Sequence, residues 1–123
     1  MSYSVNRSPN FSHHRRNITA ADTIANVPKT HGAVMEGYSQ ALIHVVPGAG
    51  TSLSVQVFVW CEAADEFIRT NSATTKTGLG NGVPYAFNFA ARGQTIFVAL
   101  TGTINDACNV WVTGSTTEAD YIV

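Results

Sequence analysis

Leu53-Ser-Val-Gln-Val-Phe-Val-Trp-Cys61 decides how this chain folds, because it is apolar on both of its faces. With a period of two, Leu53, Val55, Val57, Val59 and Cys61 point one way, and Ser54, Gln56, Phe58 and Trp60 the other. The first set is an ordinary core face. The second begins polar and ends in two large aromatics, which a small two-layer domain does not leave in water. An arm of the chain, a further layer or another subunit has to cover them.

The sequence on either side reads as a series of strands. Residues 40–46 form one, stopped by Pro47-Gly-Ala-Gly50, a turn cluster that no helix tolerates. The long strand spans 52–62, a tight connection follows at 63–65, and 66–70 returns as its hairpin partner. Residues 71–83 are rich in Gly, Thr and Asn and are expected to be a loop. Three more strands are expected at 84–90, 94–101 and 107–113, and a short edge strand at 121–123. About five to eight strands at this spacing, without an amphipathic helix, predict an all-β chain folded as a single β-sandwich or jelly roll.

The excess of aromatics recurs. Phe97 lies opposite Ile96, Val98 and Leu100, and Trp111 opposite Cys108, Val110 and Val112. If these strands lie side by side, Phe58, Trp60, Phe97 and Trp111 build a second apolar surface, and a second copy of the chain is the expected cover. The competing reading is that a bulge changes the register within a strand, so that either face is the core.

At 123 residues the chain is long enough for one domain. Only 12% of residues are charged, roughly half the usual share, as expected of a protein whose surface is engaged elsewhere. Residues 1–30 carry Arg7, Arg15, Arg16 and Lys29 against Asp22, leaving +3, whereas residues 31–123 carry three cations against seven carboxylates, leaving −4. The expected division is a basic, extended N-terminal arm over 1–30 and a β-sandwich over 31–123. Within the arm, residues 1–17 are expected to be ordered only where they dock, and 18–27 to be a short strand or an extended docking segment closed by Pro28. The start of the chain carries no apolar run of the signal-peptide kind, and no stretch approaches the length of a membrane helix. Synthesis in a cytoplasm, or release from one by lysis, is expected. Cys61 and Cys108 are expected on inward faces as reduced thiols, with a disulfide open if their strands are neighbours. The Asn-X-Ser/Thr triplets at Asn6, Asn10 and Asn17 are expected to be chance matches in an Asn/Ser-rich tail.

The residues suggest no catalysis. Asp65 and Glu66 sit at a hairpin tip, where turn geometry and solvent favour carboxylates. His13 and His14 are adjacent and lack a partner at metal-ligand spacing. His44 shares a face with Leu42 and Val46 and is expected to be half-buried. Gly78-Leu-Gly-Asn-Gly82 lacks the Lys-Ser/Thr and the strand-to-helix setting of a phosphate loop. The expectation is therefore a protein without enzymatic activity, cofactor or metal. The cluster His13-His-Arg-Arg16 is too small for strong nucleic-acid binding and suits an acidic protein surface.

HHRRN in the arm, ALIHVVPGAG, SVQVFVWCEAADEFIRT and QTIFVALTG together resemble the small decoration (cement) proteins of tailed-phage capsids. The resemblance lies in layout and texture over most of the chain. It implies a structural virion protein on the outer capsid, assembled in the host cytoplasm, that binds the major capsid protein as a homotrimer without contacting nucleic acid or membrane. It also implies that Arg7, Phe11, His13, His14, Arg15 and Arg16 form the capsid-binding arm, and that Phe58, Trp60, Phe97 and Trp111 meet a neighbouring copy. Two other expectations stand beside it: a carbohydrate-binding sandwich with Trp60, Trp111 or Tyr85 as stacking platforms, and a phage tail or neck component.

Overall fold

The structure, a computed structural model, describes residues 13–49, 52–70, 76–80 and 82–115. It is a β-sandwich of two antiparallel sheets, with no α-helix among the described residues. Sheet A has the order β1 (His13–Ile18), β8 (Cys108–Ser115), β2 (Gln40–Val46), β6 (Tyr85–Phe89). Sheet B is built on β3 (Ser52–Cys61). One side of β3 pairs with β7 (Ile96–Thr103); the other is shared by β4 (Glu66–Arg69) and β5 (Lys76–Gly80). The core fills the space between the sheets. Ile43, Val45, Val110 and Val112 from sheet A meet Val55, Val57, Ile96 and Leu100 from sheet B, all essentially inaccessible to water.

The alternation of β3 holds. Its pairing with β7 runs without interruption from Ser52↔Thr103 to Val59↔Ile96, and the one irregularity, between Leu53 and Ser54, affects only the partnership with β5. The second apolar face is therefore real and not a product of a register change. It is covered by the chain itself. Phe58, Phe67, Phe97 and Ala99 form a separate buried cluster on the outside of sheet B, and Ile24, Val27 and Trp60 pack against it. Phe58 and Phe97 are only 8% and 4% exposed, so the segment between β1 and β2 does what a second copy was expected to do.

That segment also seals the side of β7 that no strand occupies. Ala33 and Ile96 exchange both backbone hydrogen bonds, at 2.7 and 3.0 Å, and the Asp22 amide donates to the Leu100 carbonyl at 2.8 Å. Counting residues 20–34 as one strand position, the pairing along the chain is nested. Among the described strands β1 pairs with β8, this segment with β7, β2 with β6, and β3 with β4.

Three sequence expectations change. Residues 13–18 are a true edge strand, held on β8 through six register pairs with Ile18 buried, where residues up to 17 were expected to lack regular structure of their own. Within 71–83, expected to be a loop, Lys76–Gly80 is a strand, because β4 ends at Arg69 and leaves the Ser52–Val55 end of β3 in need of a partner. Trp111 belongs to sheet A, whereas Phe58, Trp60 and Phe97 belong to sheet B, so the four aromatics do not form one surface. Cys61 and Cys108 are free thiols on strands of opposite sheets, which removes the condition for pairing them. The strand expected at 121–123 lies outside the described residues.

Candidate functional site

The outer face of sheet A is open. Strand alternation sends Ile43, Val45, Val110 and Val112 inward, so Leu42, His44 and Val46 on β2 and Asn109 and Trp111 on β8 point outward. The register sets Arg15, Trp111, His44 and Ala86 in a single row across all four strands. Trp111 occupies its middle and is 40% exposed, as is Val46 one diagonal step away. The Arg15 guanidinium carbon lies over the indole at 5.3 Å from the ring centroid, a cation–π arrangement. No Asp or Glu occurs in any of the four strands of this sheet. The face thus presents apolar side chains together with the Arg15 guanidinium, with no carboxylate in its strands to neutralise it.

Two residues singled out separately in the sequence, Arg15 in the arm and Trp111 among the aromatics, are therefore brought into contact. The rest of the arm cluster is divided. Arg16 points inward, where it binds Asp22 at 2.9 and 3.0 Å, donates to the Val98 carbonyl and lies 4.4 Å above the Phe97 ring. His14 also lies on the inward side, and burial first, then the neighbouring Arg16, pushes its pKa below the usual histidine value. His13 is in β1, its side chain outside the described atoms, and Arg7 and Phe11 precede the described residues. His44 is exposed instead of half-buried, because the face it shares with Leu42 and Val46 is the outer one.

A different cleft lies on the far side of the sandwich, at the end of β3. Trp60 forms part of its wall, standing edge-on to Phe67 with centroids 5.0 Å apart. Its indole nitrogen is buried and has no partner at hydrogen-bond distance and angle among the described residues, and a buried donor left so costs about 1–3 kcal/mol when nothing compensates it. Glu62 lies close by and binds Lys29 at 2.6 Å. The Lys29 ammonium holds the Glu62 carboxyl below the usual carboxylate range, chiefly by that hydrogen bond and then by its charge, with a smaller contribution from the Trp60 N–H. The N–H thus feels the carboxylate without reaching hydrogen-bond geometry. On sequence Trp60 was expected at an interface or as a sugar-stacking platform, and Lys29 and Glu62 were not singled out, since nothing in their 33-residue separation announces that they meet.

No group of three or more His, Cys, Asp or Glu able to hold a metal occurs among the described residues. No helix among them is long and apolar enough to cross a membrane. Comparison with protein-family models, with curated proteins and with solved structures finds no match in any of the three.

Proposed function

We propose that this chain is a structural virion protein, a capsid decoration (cement) protein of a tailed bacteriophage, and that it docks through the outer face of sheet A. The observation that carries the reading is the Arg15–Trp111–His44 row on a sheet whose strands contain no carboxylate. Such a face fits an acidic protein surface with an apolar recess for the indole, and on this reading the major capsid protein supplies it. Trp and Arg are the side chains that most often dominate contact energies when they sit at the centre of an interface.

The nested pairing of strands supports a jelly roll, a two-sheet arrangement common in viral capsid proteins. Stabilisation on this reading is mechanical. Each copy spans a joint between coat subunits and adds buried surface there, and many weakly held copies reinforce the shell through multivalency. Assembly as a homotrimer belongs to the same proposal. Of the four aromatics first considered for contact between copies, only Trp111 is among the exposed large hydrophobic residues.

Shells prepared without the protein provide the test. Wild-type protein is expected to bind them saturably and more weakly as salt rises, whereas Trp111→Ala and Arg15→Glu lose binding while keeping the wild-type circular dichroism spectrum. Undiminished binding by both variants would refute the docking face. Light scattering of free and shell-bound protein reads the oligomeric state, and a monomer in both would remove the trimer from the proposal. Deletion of residues 1–12, which spares β1, measures what the remainder of the arm adds.

A further inference from the structure

The cleft beside Trp60 opens on the side of the sandwich opposite Trp111, so docking through sheet A leaves it facing solvent. Its volume is about 600 Å³, within the range of small-ligand sites. Trp60, Glu36, Glu62, Lys29, Gln94 and Thr95 line it. We propose that this cleft binds a neutral saccharide unit.

The lining matches the chemistry of neighbouring hydroxyl groups, each of which donates one hydrogen bond and accepts others. Glu36 and Glu62 only accept, the Lys29 ammonium only donates, and the Gln94 amide and Thr95 hydroxyl do both. The unbonded Trp60 indole N–H, lying beside the Glu62 carboxylate, defines the central position. A sugar hydroxyl there accepts from the indole and donates to the carboxylate, which satisfies the N–H while leaving Glu62 ionised. Entry requires Lys29 and Glu62 to move aside. Their side chains are 49% and 75% exposed, and an ion pair so open to water costs little to rearrange.

Charge narrows the ligand class. Two carboxylates face one ammonium in the cleft, which disfavours an anion such as a phosphate or an acidic sugar. The indole edge beside that N–H supplies apolar surface for the neighbouring C–H groups of a pyranose. This inference does not depend on the docking face. The two use different residues on opposite sides of the molecule, and either survives the failure of the other.

The experiment follows the indole resonances of the full-length ¹⁵N-labelled protein during titration with methyl glucoside, methyl galactoside, methyl mannoside and N-acetylglucosamine, with glucuronate as the anionic comparison. Trp111→Phe assigns the two signals. At least one neutral sugar is expected to shift the Trp60 N–H saturably and leave Trp111 unmoved, with glucuronate binding more weakly. Loss of the charged acceptor in Glu62→Gln, at a side chain 75% exposed, should weaken binding about tenfold while the circular dichroism spectrum stays that of the wild type. A Trp60 signal unmoved by every neutral sugar, glucuronate binding as tightly as they do, or a Glu62→Gln variant binding like wild type would each overturn the proposal.

Discussion

Arg16 and Asp22 form a two-pronged ion pair on the outer edge of β7, and each also bonds the backbone of that edge. Nη1 and Nη2 of Arg16 meet the two carboxylate oxygens at 3.0 and 2.9 Å. Nη2 also donates to the Val98 carbonyl, and Asp22 Oδ2 accepts the Leu100 amide at 2.9 Å. Side chains thus stand in for a neighbouring strand where β7 would otherwise offer a row of unpaired groups.

Because the pair is mostly shielded from water, with side-chain exposures of 21% and 14%, removing one partner strands the other. Asp22→Ala is expected to cost about 2–3 kcal/mol, and Arg16→Ala a similar amount. The two together should cost less than the sum, with a coupling above about 1 kcal/mol in a double-mutant cycle from urea unfolding. Additive losses would mean that the two residues act separately.

Phe97 and Trp111 are both aromatics opposite an aliphatic strand face, yet they should respond differently to truncation. Phe97→Ala opens a cavity beneath Ile24 and Val27 and also removes the ring under Arg16, so a loss of about 3–5 kcal/mol is expected. Trp111→Ala removes a surface side chain and should cost less than about 1 kcal/mol. Thermal unfolding of the two variants under one set of conditions makes the comparison.

His14 makes stability depend on pH. Its folded pKa lies below the usual histidine value of about 6.5, mainly through burial, so in the interval between the two the unfolded chain holds more protons than the folded one. Its contribution is complete above about pH 6.5 and is lost as pH falls through the folded value. His14→Gln should flatten the melting temperature against pH on the acid side of neutrality. An unchanged slope would assign that dependence to other groups.

Gly102 has φ of +113°, and a Cβ there would press into the Ser52 carbonyl of the paired strand. Gly102→Ala combines a conformation that L-residues avoid with a clash against backbone. It should destabilise by about 2 kcal/mol or more, measured by chemical denaturation.

Strands with a regular alternation were legible in the sequence: β2, β3, β7 and β8 lie within two residues of where their apolar periods put them. β5 was not legible, since Lys-Thr-Gly-Leu-Gly has no strand-like texture and pairs because β3 has a vacant edge. β1 escaped for another reason. Its inward positions are His14 and Arg16, polar residues accommodated by burial of a neutral imidazole and by Asp22, contacts that no local pattern encodes. Alternation also told which face Trp111 occupies on its strand, but not which sheet that strand joins. That Trp111 lies opposite the aliphatic face of its strand was foreseen, and its separation from Phe58, Trp60 and Phe97 was not.

The pairing of His13 with Thr113 has a mechanical consequence. β1 and β8 are antiparallel neighbours, so the chain enters and leaves the described sandwich at one corner. Tension applied through the two ends peels β1 from β8 one rung at a time, the geometry in which a ladder of hydrogen bonds resists least, because each breaks alone. Load borne across the outer face of sheet A is instead spread over all four strands at once. A fold with this layout is weak when held by its ends and firm when held by its face, which makes the Arg15–Trp111 surface the better place to attach it to anything under strain.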